Sequence, residues 1–235
     1  LFGLCADMEK LETIVRDHDL WILEDAAQAF GALRHGKMAG SLGLIAALSF
    51  YPTKNLGGFG DAGMILTRDA SLARRIRMLR VHGSVNQYEH MMWGWNSRLD
   101  SLQAAMLNIK LPFVASWIQK RIELAQRYRS AFMTLPLILP VEETHQNRHT
   151  YNQFVIRTGR RNELAEFLKI KGVGTAVYYH IPLHLQECFK SLGYKEGDFP
   201  NAEKASKESL ALPIFPELTL SEQDYIIQSI MEFFN

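Results

Sequence analysis

Hydrophobic positions along the chain alternate between helical and strand spacing. Over residues 7–18, Met8, Leu11, Ile14 and Val15 recur on one helical face, and Asp7 precedes them as the expected N-cap. Residues 20–24 form a short, nearly continuous apolar run, the pattern of a buried parallel strand. Residues 46–51 and 62–67 read as two more strands. Residues 69–80 form a helix with Leu72, Ile76 and Leu79 on one face and arginines on the other. Residues 84–96 are polar and aromatic and read as a loop. A long helical stretch follows over residues 100–132, and Pro112 must kink or split it.

Pro136 and Pro140 mark a change of regime. Beyond them the pattern predicts a strand at 151–158, a helix at 162–171, a strand at 173–179 and a final helix at 221–234. Ser221 and Asp224 are the expected capping box of that last helix, with aspartate replacing the usual glutamate. The order of elements is that of an α/β layered fold. A boundary near residue 134 gives a first domain over 1–133, ending in the long helix, and a small α+β domain over 134–235.

Composition narrows the partners. The formal net charge of +1 gives no electrostatic case for nucleic acid or an anionic membrane. Arg74-Arg75-Ile76-Arg77 and Arg160-Arg161 read as solvated helix faces. Cys5 and Cys188 stand far apart with no metal-binding spacing, which fits reduced thiols. No structural or catalytic metal is expected of the histidines. With no long apolar span and no charged-then-apolar leader, the chain reads as cytoplasmic.

The candidate chemistry lies within thirty residues. Asp25 ends the run Leu20-Trp21-Ile22-Leu23-Glu24-Asp25, and Ser49 ends the next strand. Lys54 follows in Pro52-Thr53-Lys54-Asn55-Leu56-Gly57-Gly58. An amine for a Schiff base, an acid to face a pyridine nitrogen and a donor for a phosphate are what a pyridoxal phosphate site requires. Taken alone, Lys54 reads more readily as a surface lysine in a glycine turn. Asp25 is equally a cap for a helix over 26–29. Gln28 and Asn96 suit turns as well as ligand contacts. Tyr178-Tyr179 either packs at a strand end or lines a pocket, and His184 reads first as a structural histidine.

Three ordered segments resemble one family. They are Glu24-Asp25-Ala26-Ala27-Gln28-Ala29-Phe30-Gly31-Ala32, then Ser49-Phe50-Tyr51-Pro52-Thr53-Lys54-Asn55-Leu56-Gly57, then Asn96-Ser97-Arg98-Leu99-Asp100-Ser101-Leu102-Gln103-Ala104-Ala105. Together they resemble the DegT/DnrJ/EryC1/StrS aminotransferases, fold-type I pyridoxal phosphate enzymes that act mostly on nucleotide-linked keto sugars. The segments 151–157, 181–186 and 212–218 resemble that family's small domain.

The resemblance implies Lys54 as the Schiff-base lysine, Asp25 on the pyridinium nitrogen, Gln28 beside the ring oxygen and Ser49 on the phosphate. It implies that Asn96 reaches the cofactor phosphate of a neighbouring subunit in a homodimer with shared sites, and that His184 and Tyr179 lie near the sugar. The implied reaction is transamination of a keto sugar with glutamate as donor. His180 stands where the family often has proline. Family members exceed three hundred residues, so the resemblance also implies a large domain lacking its first part and a chain that is not competent alone. The competing expectation is a non-catalytic partner or cofactor-sensing subunit whose site another chain completes.

Overall fold

The computed structural model describes residues 1–141 and 147–235. In chain order its elements are α1 (Met8–Asp17), β1 (Leu23–Asp25), β2 (Leu33–Arg34), β3 (Lys37–Met38), β4 (Ile45–Ser49), β5 (Gly63–Thr67) and α2 (Ala70–Leu79). They continue with β6 (Ser84–Asn86), β7 (Glu89–His90), α3 (Ser101–Lys110), α4 (Val114–Phe132), β8 (Phe154–Arg157), α5 (Arg161–Ile170), α6 (Pro200–Glu208), β9 (Ser209–Leu212) and α7 (Leu220–Phe234). The chain forms two compact units. The first is Leu1–Gln119 with the described part of Glu143–Asn152; the second is Lys120–Glu142, as far as described, with Gln153–Asn235. The division falls inside α4, ahead of residue 134, and the chain returns to the first unit before β8.

In the first unit, β1, β4 and β5 form one sheet in that order. β1 runs parallel to β4, pairing Leu23 with Ile45 and Asp25 with Ala47. β4 pairs antiparallel with β5, from Ile45↔Thr67 to Ser49↔Gly63. The parallel pairing expected of the run before Asp25 is present, but the strand is shorter and is not buried. Leu23 is 54 % exposed, and on β5 Met64 and Ile65 are 46 % and 51 % exposed.

Local chemistry explains most element ends. Asp69 caps α2, its carboxylate accepting the N–H groups of Ser71 and Leu72 at 2.7 and 3.0 Å. Asp7 does not cap α1; it binds Lys10 and Arg34 instead. Pro112 interrupts the long helical stretch as expected, as a short 3-10 turn at Leu111–Phe113 between α3 and α4. The stretch read as a loop after α2 contains the hairpin β6–β7.

The second unit is built on the antiparallel pair β8–β9, in register from Phe154↔Leu212 to Arg157↔Ser209. Phe154, Ile156 and Leu210 are fully buried, and Phe154 packs 5.1 Å from the Tyr128 ring on α4. Three expectations are corrected here. The first strand begins at Phe154 and not at residue 151, because Tyr151 takes a positive φ of 45°. Residues 173–179 form no strand; only Ala176 bridges to Ala211. α7 is capped by Thr219 and Glu222, and Ser221 and Asp224 lie inside the helix, where Asp224 pairs with Arg127.

Candidate functional site

Successive side chains of a strand point to opposite faces, and the two acids ending β1 divide their work accordingly. Glu24 accepts the backbone N–H groups of Gly40, Leu42 and Gly43 at 2.8, 2.6 and 2.6 Å, so it shapes the approach to β4. Asp25 faces the other way and is exposed, with one carboxylate oxygen accepting the Ala27 N–H at 3.1 Å. That bond belongs to a turn and not to the N-terminus of a helix: residues 26–29 are not helical.

Lys54 sits in the connection between β4 and β5. Its backbone N–H turns back to Tyr51 O at 2.9 Å, and Gly58 N–H closes onto Phe50 O at 2.7 Å. A Cβ on Gly57 would overlap the Pro52 carbonyl, so the turn has room only for glycine there. Partial burial of the amine lowers the Lys54 pKa, while the Asp25 carboxylate raises it. The structure therefore brings the lysine and the strand-ending acid within electrostatic reach of each other.

Ser49 lies at the end of β4, where its Oγ accepts the Tyr51 N–H at 3.3 Å, leaving its own proton to donate. Gln28 is half-buried, and its Oε1 accepts the Phe2 N–H at 2.6 Å. Asn96 is exposed, in an isolated bridge with Val81. Tyr179 and His184 belong to the second unit. Tyr179 is exposed and meets Tyr178 edge-on. The His184 side chain is largely enclosed, its Nε2 3.0 Å from Glu203 Oε1, with Phe199 against the ring. Glu203 also accepts the N–H groups of Gly197 and Phe199, which places His184 in an internal network. A cleft of about 840 Å³ runs along β5, α2, Arg98 and Leu99, and neither Lys54 nor Asp25 lines it.

Some residues near the site were silent in the sequence. Gln103 and Lys110 of α3 bind the glycine turn after Lys54. In the segment 147–152, Arg148 exchanges backbone bonds with Leu33, and Thr150 N–H reaches Gly3 O at 2.9 Å. There His149 is 6 % exposed, stacked on Tyr151 with ring centroids 4.0 Å apart, its Nδ1 accepting the Tyr151 N–H at 2.9 Å. Burial pushes its pKa down to about 4. The contacts of Gln103, Lys110 and Thr150 carry no local pattern, because each joins segments far apart in sequence.

A lysine of lowered pKa beside a strand-ending carboxylate, with a serine hydroxyl on the adjoining strand, is a donor set suited to an aldehyde, a pyridine nitrogen and a phosphate. Known proteins carry the same framework. The chain is 48 % identical over its full length to a pleiotropic regulatory protein of Geobacillus stearothermophilus, covering 63 % of that protein. It is 42 % identical to a dTDP-3-amino-3,4,6-trideoxy-alpha-D-glucose transaminase of Streptomyces venezuelae, over 99 % of this chain and 62 % of that one. The structure superposes on S. venezuelae DesV, solved in complex with a ketimine intermediate, with a TM-score of 0.95 over 99 % of this chain and 63 % of DesV at 42 % identity. The chain thus spans less than two thirds of these relatives. The family model for the DegT/DnrJ/EryC1/StrS aminotransferases matches residues 1–231, and with the α/β framework and the placement of Asp25, Ser49 and Lys54 in one unit, the chain belongs to that family.

Proposed function

We propose that this chain carries the lysine-bearing part of a pyridoxal phosphate-dependent aminotransferase acting on a keto sugar linked to a nucleotide. The observation that carries the reading is that Lys54, in the turn after β4, has its amine made easier to deprotonate by burial and lies within electrostatic reach of Asp25 at the end of β1. The cofactor, when bound, supplies the electron sink that lets an amino group pass from an amino acid to a carbonyl. Lys54 Nζ is the atom that would hold the cofactor's aldehyde carbon, and the same nitrogen, when free, would move a proton. Asp25 holds the proton on the pyridine nitrogen. Ser49 donates its hydroxyl proton to a phosphate oxygen, and Gln28 orients the ring's oxygen edge. Glutamate is the proposed amino donor. Asn96, exposed at its bridge, reaches the phosphate of a second subunit's cofactor in a homodimer with shared sites. The roles proposed for Tyr179 and His184 are toward the sugar; within the second unit His184 holds the loop around Phe199.

A second reading is favoured by the exposed apolar side chains of β1 and β5. In it the chain acts only when a further polypeptide covers that sheet, as a partner or cofactor-sensing subunit.

The test is imine formation. The chain is incubated with pyridoxal phosphate, reduced with borohydride and mapped by mass spectrometry. Label on Lys54 above the other lysines supports the reading, and its loss in Lys54→Ala must accompany loss of the absorbance band. Equal labelling of all lysines rejects it. Transaminase turnover by this chain without any added polypeptide would remove the second reading.

A further inference from the structure

The turn that follows Lys54 is gripped by one helix. Gln103 and Lys110 stand seven residues apart on α3, two turns along one face. Gln103 Oε1 accepts the Phe59 N–H at 2.8 Å. Its carboxamide also fills the space where side chains would begin on two glycines. Oε1 is 2.9 Å from the Cβ position of Gly58, and Nε2 is 2.9 Å from that of Gly60. Lys110 Nζ donates to Gly57 O at 2.6 Å and lies 5.0 Å from the centre of the Phe59 ring. Residues 57–60 are thus each touched by one of two side chains. The bonds Gly58 N–H to Phe50 O and Lys54 N–H to Tyr51 O tie the lysine's turn to that gripped segment.

Ordering two long polar side chains costs rotamer entropy of the same order as the net gain from their hydrogen bonds. Such bonds add little stability and chiefly define position. The glycines are part of the same device, since a side chain on Gly58 or Gly60 would displace the carboxamide.

We propose that Gln103 and Lys110 are positioning residues for Lys54, fixing residues 57–60 and thereby the place of the lysine amine beside Asp25. The inference deepens the reading of Lys54 as the cofactor-attaching residue and rests on it. Neither side chain touches the reacting atoms; each acts through the backbone of the turn. Loosening the turn lets the amine swing into water, which reverses the desolvation that favours its neutral form.

The experiment reads Lys54 directly, without turnover. Competitive acetylation with acetic anhydride, followed over alkaline pH by mass spectrometry, gives a titration midpoint for each lysine. It is applied to the native chain, Gln103→Met, Lys110→Met and Lys110→Arg. Gln103→Met keeps length and charge but lacks the acceptor, so a shift there has no electrostatic origin. Both methionine variants are expected to move the Lys54 midpoint up toward the exposed lysines. A rise of one unit cuts the free amine at fixed pH about tenfold. Lys110→Arg keeps a donor and is expected to keep the native midpoint, and the Lys110→Met shift is expected to survive added salt, which screens charge. Methionine variants with native circular dichroism and an unmoved Lys54 overturn the proposal, as does an arginine variant shifted as far as the methionine one. Where Gln103→Met does not fold, the Lys110 pair decides. A native chain whose Lys54 titrates with the exposed lysines refutes the Lys54 reading itself, whereas a low native midpoint that no variant moves refutes only the grip of α3.

Discussion

Acid should weaken the first unit through His149. Its ring is buried and stacked on Tyr151, and Nδ1 accepts a backbone N–H, so the neutral form fits and the cation does not. Its pKa is about 4 when folded and about 6.5 in an unfolded chain. The unfolded state therefore binds the proton more tightly. His149 contributes its full stability above pH about 6.5 and loses it as pH falls toward the folded value, at about 1.4 kcal/mol per pH unit. Across the whole interval this amounts to about 3 kcal/mol. The assay is urea denaturation from neutral to acid pH for the native chain and for His149→Gln, whose amide oxygen can accept the Tyr151 N–H but does not titrate here. Carboxylates titrate alike in both, so the difference between the two curves isolates the imidazole. It should grow with a positive slope against pH over this window. A flat difference, or an imidazole that titrates by NMR in the ordinary histidine range, refutes the reasoning.

Phe154→Ala should cost about 3–5 kcal/mol of second-unit stability, because the ring is fully buried against Tyr128; a loss under about 1 kcal/mol by denaturant titration would show that the site collapses freely. Thr219→Ala removes the side-chain arm of the α7 capping box, leaving the backbone N–H of residue 219 on Glu222, and should cost about 1 kcal/mol, with Ser221→Ala as the control that changes little. Gly57→Ala forces a Cβ onto the Pro52 carbonyl, so borohydride-trapped label at Lys54 should fall while helix content by circular dichroism is kept; undiminished label would show the turn to be plastic.

How much of this was legible depended on range along the chain. The places of Asp25 and Ser49 at strand ends and of Lys54 in a glycine turn are legible because such features are local, and Pro112 marks the break before α4. The readings that failed turned on partners out of sight. Residues 173–179 have the apolar character of a strand, yet β8 already pairs with β9, and only Ala176 reaches Ala211. β9 is four residues between α6 and Pro213, too short for periodicity to declare it. The α7 cap was misplaced by two residues because Thr219, Ser221, Glu222 and Asp224 offer two overlapping cap patterns, and only the backbone conformation at Thr219 decides between them. The exposure of β1 was hidden for a further reason: an apolar run does not say whether anything covers it. Gln103 was equally hidden, since its bond to Phe59 joins residues 44 apart.

The antiparallel pairing of β4 with β5 bears on the order in which the lysine's surroundings come together. Ser49 pairs with Gly63 across residues 50–62, so the strands flanking Lys54 meet by closing one short loop, whereas β1 joins β4 only after a crossover. Short-range contacts carry the smaller closure entropy and tend to form first. The lysine turn is therefore built as part of an early hairpin, and Asp25 docks beside it afterwards. Pulse-labelled hydrogen exchange during refolding should protect the β4–β5 amides before those of β1. The reverse order would place the acid first and leave the lysine to find it.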